Sequence, residues 1–218
     1  MFTHSNEKAQ PGLVDKTNCS PPSTLELVRT PGLAIFPQYV ADKPTTLSLR
    51  SKWLSKDLSI LFEDGRPFIH ATRHSDYYVL TEVTSNALLC VLHSNPDGDD
   101  NPYYAQLSPD PDSPRIFETN TVKRILHSNE TDMQFKNAQN RGQWAMLEFK
   151  DQGHLGFGGT IMSDGVPVAV IMRSKGKFGH EYRMEVAEGV DMFMVAALAV
   201  VMEDQLPAAR GGGGGQEA

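Results

Sequence analysis

Apolar and polar residues alternate in short runs between Leu58 and Ala187, and turn-forming residues separate these runs at fairly regular spacing. This pattern is typical of an antiparallel meander. Two of the turns contain Asp-Gly, at Asp64-Gly65 and Asp164-Gly165, a dipeptide favoured in two-residue hairpins. The pattern predicts ten to twelve strands, and the clearest runs span residues 58–62, 67–72, 77–83, 87–93, 103–107, 115–118, 132–135, 144–149, 154–162, 166–173 and 181–187.

The last predicted element has a different pattern, because every residue from Met192 to Met202 is apolar. A helix that is apolar on all sides must be enclosed by protein or by lipid. These eleven residues would rise only about 16 Å as a helix, which is about half of the hydrocarbon core of a bilayer. We therefore expect no transmembrane segment but a helix inside the protein, capped by Asp191, with these core positions: Met192, Val195, Leu198 and Val201.

Many antiparallel strands followed by one enclosed helix favour a closed barrel. Closure removes the exposed strand edges that an open sheet would present. A barrel of about twelve strands is too wide for its own side chains to fill, so a central helix would fill it. The predicted fold class is mostly β (α+β), a closed antiparallel β-barrel of about twelve strands that encloses a hydrophobic C-terminal helix.

Polar or glycine-rich tails flank the predicted barrel. Residues 1–31 are polar and contain Pro21-Pro22, so we expect a flexible N-terminal tail. Residues 32–206 are predicted to form one barrel domain, and residues 207–218, with five consecutive glycines, a disordered C-terminal tail. Cys19 lies in the first tail and Cys90 in an apolar run, so these two residues are not expected to form a disulfide.

The charge of the chain limits the classes of partner. Its 218 residues carry a formal net charge of −7 at pH 7. Nucleic acid is therefore not expected as a partner, because neutralising phosphates requires a basic surface. The first ten residues lack the basic and then apolar pattern of a secretion signal, so a cytoplasmic location is expected.

Three parts of the sequence resemble the LURP-one-related family of the tubby C-terminal-like superfamily, in its fungal-type form. The first part is PQYVADKPTTLSLRSK (Pro37–Lys52), followed by FEDGRPFIHA (Phe62–Ala71). The second is the hairpin GFGGTIMSDGVPVAVIMRS (Gly156–Ser174). The third, YRMEVAEGVDMFMVAALAVVMED (Tyr182–Asp204), is similar to the family's last strand, Gly-Val-Asp corner and terminal hydrophobic helix. The family's fold, a twelve-stranded barrel around a C-terminal helix, agrees with the fold predicted from the residues.

This resemblance implies a non-enzymatic barrel module. Tubby domains bind phosphoinositides at the plasma membrane through basic residues, and phospholipid scramblases of the same superfamily bind calcium. The sequence contains no tubby phosphoinositide-site motif, so the likeness to lipid-binding relatives is a likeness of fold. We expect a peripheral phosphoinositide- or phospholipid-binding domain at the plasma membrane. A protein-interaction scaffold without a lipid ligand and a small-molecule-binding barrel are the alternatives.

A group of basic residues near the last hairpin is the candidate site for lipid phosphates. Arg173, Lys175, Lys177 and Arg183 lie in and around a glycine-containing loop of an otherwise acidic chain. Each positive charge near an anionic membrane surface contributes about 1 kcal/mol to binding. The alternative is that these residues only keep an exposed hairpin solvated. Protein partners are expected to bind through the N-terminal tail.

Two catalytic templates begin in this sequence and fail. His180-Glu181 starts an HExxH zinc motif, but Met184 replaces its second histidine. The glycines of Gly156–Gly159 lack the third glycine of a nucleotide-binding loop and are better explained by a strand that packs closely against another backbone. We expect no enzyme activity, no catalytic residue and no cofactor.

A third motif resembles the start of a calcium-binding loop. Asp97, Asp99 and Asn101 occupy alternate positions as in an EF-hand, but Pro102 stands where glycine is needed. These residues are therefore predicted to form a solvated acidic turn, with a weak calcium contact as the alternative. No metal site is expected.

Overall fold

The computed structural model describes residues 27, 32–51, 57–94, 103–122, 130–151, 158–176 and 179–205. The predicted tails lie largely outside these ranges, as do the acidic turn at residues 97–102, Lys177 and residues 154–157. The described elements are β1 (Thr45–Ser51), β2 (Leu58–Phe62), β3 (Pro67–Arg73), β4 (Tyr77–Glu82), β5 (Leu88–Ser94), β6 (Tyr103–Gln106), β7 (Arg115–Val122), β8 (Glu130–Asn137), β9 (Gln143–Asp151), β10 (Gly158–Ser163), β11 (Val166–Gly176), β12 (Gly179–Val186) and one helix, α1 (Met192–Gln205). Short 3-10 helices span Pro37–Tyr39 and Ala138–Asn140.

The twelve strands form a closed barrel in which each strand pairs with its neighbours in sequence. All pairs are antiparallel, and β1 pairs with β12 to close the sheet. At this closing pair, Leu47 lies opposite Met184 and Leu49 lies opposite Tyr182. All four side chains are buried, so the closing pair is part of the hydrophobic core. The predicted closed antiparallel barrel is confirmed.

Helix α1 lies inside this barrel. Nine consecutive residues, Phe193 to Val201, expose no surface, and they include Val195, Leu198 and Val201. Met192 is partly buried and packs against the same core. Because the helix contacts the barrel on all sides, it needs apolar residues all round. Within the described ranges, no helix combines the length and apolar character that crossing a membrane requires.

Asp191 fixes the N-terminal end of the helix. Its Oδ1 accepts a hydrogen bond from the Phe193 N–H at 2.8 Å, and its Oδ2 accepts from the N–H groups of Ile35 and Phe36 at 3.0 and 2.8 Å. Burial raises the pKa of this carboxyl to about 7, although the backbone donors act in the opposite direction. The predicted N-cap is therefore confirmed, and it also joins the segment before β1 to the helix.

Asp204 fixes the C-terminal end of the helix. Its carboxylate forms an ion pair with Arg73 on β3 and accepts hydrogen bonds from the hydroxyls of Tyr78 on β4, at 3.2 Å, and Tyr103 on β6, at 2.7 Å. The side chains of Arg73 and Asp204 are only 19% and 14% exposed. Burial, together with the charge of Asp204, raises the pKa of Tyr78 to about 12. We call these four residues the helix anchor.

Candidate functional site

A cleft of about 880 Å³ lies on the outer side of the barrel, near the end where α1 begins. Strands β8 and β9, their connection, the turn between β10 and β11, and the segment before β1 all contribute to it. Its main side chains are Gln134, Asn137, Gln139, Asn140, Trp144 and Met146. We call this feature the Trp144 cleft.

Trp144 and Met146 form the apolar floor of the cleft. Both project from the outer face of β9, where they are 52% and 43% exposed. Their partners across β8 are Lys136 and Gln134, and the Lys136 ammonium lies 5.7 Å from the centroid of the Trp144 ring. Exposed tryptophan and methionine side chains are enriched at protein interfaces relative to the rest of the surface. The floor therefore offers apolar contact area to a ligand.

The connection between β8 and β9 supplies amide groups beside this floor. The buried Asn137 accepts hydrogen bonds through Oδ1 from the N–H groups of Ala34, at 3.2 Å, and Gln139, at 3.0 Å. Its Nδ2 donates to the carbonyl of Gly32 at 3.2 Å. Asn137 thus holds the rim in place, while Gln139 and Gln134 remain exposed as donors and acceptors.

The segment before β1 forms one wall of the cleft. Gly32 has a φ of +52°, in the left-handed region that favours glycine. A Cβ at this position would lie 2.8 Å from Oε1 of Gln139, so the two residues approach too closely for a larger side chain. The Ala138 N–H donates to the Ala34 carbonyl at 2.7 Å. The Leu33 N–H donates to the carbonyl of Gly189, just before α1, at 3.0 Å. The wall is therefore fastened both to the rim and to the start of the helix.

The described residues of the predicted lipid-phosphate site lie on different faces of the sheet. Arg173 on β11 lies opposite the buried Tyr182 on β12, so it belongs to the inner face. Arg183 directly follows Tyr182 and therefore belongs to the outer face. Lys175 belongs to β11, and Lys177 lies outside the described residues. The structure thus separates Arg173 from Arg183.

Carboxylates accompany both of these arginines. On the outer face, Arg183 lies 3.8 Å from Glu63 and 3.3 Å from Glu185, measured between nitrogen and oxygen atoms. On the inner face, burial raises the pKa of Glu203, and the charge of Arg173 acts in the opposite direction. These carboxylates offset the positive charge that a lipid phosphate would require.

A stack of rings crosses the outer face of β4, β5 and β6. His74 and Tyr77 lie 4.5 Å apart between ring centroids, Tyr77 and His93 lie 5.7 Å apart, and His93 and Tyr104 lie 4.9 Å apart. The guanidinium of Arg115 covers Tyr104 at 4.4 Å. Because the rings of Tyr77, His93 and Tyr104 belong to neighbouring strands and contact one another, we interpret the stack as a structural contact between the strands. Among the residues that the structure describes, no group of three or more His, Cys, Asp or Glu is arranged to hold a metal ion.

Comparison with known proteins identifies the family. A family model for LURP-one-related proteins matches residues 45–204. The chain belongs to the LURP-one-related family. The X-ray structure of an Arabidopsis thaliana protein has a similar fold, with a TM-score of 0.57 and 17% identity over 79% of this chain and 98% of that chain. At this identity the likeness shows a common fold and no more. No curated protein sequence matches the chain.

None of the sequence patterns above singles out the Trp144 cleft. A signal for it exists in β9, where Trp144 and Met146 alternate with Ala145, Leu147 and Phe149. Leu147 and Phe149 are buried, so a strand of this barrel already has its core-facing residues without Trp144 and Met146. Large apolar residues on the second face of a barrel strand indicate an exposed apolar surface.

Proposed function

We propose that this LURP-one-related barrel is a non-enzymatic interaction module that binds an extended segment of a partner protein in the Trp144 cleft. The observation that carries the proposal is the exposure of Trp144 and Met146 side by side on the floor of a cleft. Tryptophan is among the residues that dominate binding energy at protein interfaces. Helix α1 occupies the barrel interior, which favours a ligand on the outside over a small molecule in the centre.

The composition of the cleft favours an extended peptide as the ligand. Asp164 is the one charged residue among the described residues that line the cleft, and the Lys136 ammonium lies beside its Trp144 floor, so the two charges at this surface are opposite in sign. The exposed amide of Gln134 can donate to peptide carbonyls and accept from peptide N–H groups, and Asn140, whose Nδ2 donates one N–H to Gln143 at 2.9 Å, keeps its second N–H and its Oδ1 for the same purpose. A peptide in an extended conformation presents both kinds of group, and its apolar side chains can cover Trp144.

Selection from a random peptide library by the full chain tests this proposal. Truncating a residue that dominates an interface costs about 2 kcal/mol or more, which corresponds to about 30-fold in affinity. Peptides selected by the wild type should therefore bind Trp144→Ala at least about 30-fold more weakly. Leu88→Ala is the matched control, because Leu88 is 41% exposed and does not line the cleft. Selected peptides that bind Trp144→Ala as tightly as the wild type would refute the proposal, as would a selection that enriches no peptide.

Binding of phosphoinositides or other anionic phospholipids at the plasma membrane is the second candidate function. It is supported by the basic residues of the hairpin between β11 and β12, which include Lys175 and Lys177. Flotation of the full chain with phosphoinositide-containing liposomes should then be abolished by Lys175→Glu combined with Lys177→Glu. If the wild type fails to float, or if the double variant floats equally well, the lipid function is wrong.

A further inference from the structure

We infer that the Trp144 cleft also binds the proline-rich segment of this same chain, residues 20–26 (SPPSTLE), which thereby competes with a partner. The inference rests on the proposed function of the cleft. It adds an identified ligand, a proline-containing extended peptide, and a means of regulation.

The chain upstream of the barrel is attached at the cleft itself. Gly32 and Leu33 line the cleft, so the preceding residues are covalently joined to one of its walls. Leu27 is partly buried and packs against the hydrophobic core, so the chain contacts the barrel five residues before Gly32. Pro22 lies ten residues before Gly32, a separation that can span at most about 36 Å. A segment at residues 20–26 is therefore close enough along the chain to reach the cleft.

The chemistry of this segment fits the cleft. Consecutive prolines favour the polyproline II conformation, which leaves its carbonyl groups without internal hydrogen bonds. Grooves that recognise such segments present an exposed aromatic ring for the prolines to contact. Trp144 supplies this ring, and the amides of Gln134 and Asn140 supply donors for the carbonyls of Pro21-Pro22.

The covalent attachment of residues 20–26 to the barrel favours this segment over a free peptide that competes for the cleft. A short tether gives its ligand an effective concentration of about 1 mM. A cis contact with an intrinsic dissociation constant of about 0.1 mM would then be formed about 90% of the time. A free peptide that competes for the same cleft would bind about tenfold more weakly than to a cleft without the tethered segment. The N-terminal segment would thus act as an internal competitor that a partner must displace.

The two cysteines permit a direct test in the full chain. Cys90 is fully buried, and burial raises the pKa of its thiol, so a thiol reagent has Cys19 as its target. A nitroxide on Cys19 lies two residues from Pro21. We expect it to broaden the indole N–H resonance of Trp144 beyond detection, and we expect the resonance to return when the nitroxide is reduced. Trp144→Phe assigns this resonance.

Proline variants of the labelled chain provide the matched control. Pro21→Ala combined with Pro22→Ala should restore the Trp144 resonance, whereas Pro11→Ala should leave it broadened. A Trp144 resonance that the nitroxide does not affect would overturn the inference. Mixing nitroxide-labelled chain with isotope-labelled, nitroxide-free chain tests for a second copy, and broadening in this mixture would show binding between molecules and overturn the cis contact.

A second measurement separates this inference from the proposed function. Peptides selected in the library experiment should bind the double proline variant about tenfold more tightly than the wild type. Equal affinities would overturn the cis contact and leave partner binding in the cleft intact. If the nitroxide broadens Trp144 but no peptide is selected, the cis contact stands and the binding of a separate partner is refuted.

Discussion

Replacing Asp204 by asparagine should loosen the C-terminal end of the central helix. The substitution leaves the size of the side chain unchanged but removes the charge that Arg73, Tyr78 and Tyr103 share. Breaking a fully buried ion pair costs about 3–5 kcal/mol. Arg73 is still 19% exposed, so water can partly compensate and the expected loss is about 3 kcal/mol. This is a large part of the 5–15 kcal/mol that stabilises an ordinary domain.

Urea and thermal unfolding followed by circular dichroism measure this loss. For a domain of 150–250 residues, 3 kcal/mol corresponds to a fall in Tm of about 6–12 °C. Asp64→Asn is the matched control, because Asp64 forms its ion pair with Arg66 in an exposed hairpin, where such pairs contribute little. A double-mutant cycle with Arg73→Met isolates the energy of the pair. If Asp204→Asn unfolds at the same urea concentration as Asp64→Asn, the helix anchor does not stabilise the barrel.

Three further substitutions test other parts of the structure. Leu198→Asp places a charge at a fully buried position and should abolish cooperative unfolding, whereas Leu88→Asp at an exposed position should not. A folded Leu198→Asp chain would refute the conclusion that the barrel encloses the helix. Burial raises the pKa of Asp191 to about 7, so the folded state binds a proton at this carboxyl more tightly than the unfolded state does. The contribution of this proton to the free energy of unfolding is complete below about pH 4 and is lost as the pH rises through 7. The free energy of unfolding should therefore fall by about 2 kcal/mol between about pH 5 and 7. Urea titrations at both pH values should show that Asp191→Asn lacks this decline, and an unchanged decline would contradict the assignment. Gly159→Ala would place a Cβ against the backbone carbonyl oxygen of Lys150 on β9 and 2.5 Å from the ring of Phe149, and should lower the free energy of unfolding by about 1–3 kcal/mol; a neutral effect in the same titration would show that β9 and β10 can separate.

Much of the barrel could be predicted because its elements leave distinct patterns. A helix that is apolar on every side must be enclosed by lipid or by protein. Because this helix is too short to cross a bilayer, the interior of a protein is the environment that remains. The Asp-Gly turn at Asp164-Gly165 was predictable for a similar reason, since both residues have positive φ values, 50° and 79°, as a tight hairpin turn requires. Strand β1 was not among the predicted runs, because Leu47 and Leu49 are its only large apolar residues.

The orientation of Arg173 shows what the pattern leaves open. Its position two residues after the buried Ile171 predicts the inner face, but arginine is expected on the outside of a barrel. The structure accommodates it inside because β11 reaches the end of the barrel where α1 finishes, and Glu203 on the helix provides an opposite charge. Which helix residue lies level with a given strand position depends on the tilt and register of the whole barrel.

The Trp144 cleft also depends on contacts between distant parts of the sequence. Its wall exists because Gly32 and Ala34 dock on Asn137, more than one hundred residues later in the chain. The sequence of β9 indicates an exposed apolar face around Trp144 and Met146, but not the segment that turns this face into a cleft. The charge pattern instead indicates the basic group of the last hairpin, and the folded sheet places two of its members, Arg173 and Arg183, on opposite faces.

Binding of a partner peptide in the Trp144 cleft is tested most directly by titrating a selected peptide into the full chain and mapping the amide chemical-shift changes by NMR. Binding in the Trp144 cleft should shift the amides of β8, β9, the turn between β10 and β11, and Gly32–Leu33. Shifts confined to the opposite end of the barrel, around the helix anchor of Arg73 and Asp204, would contradict it.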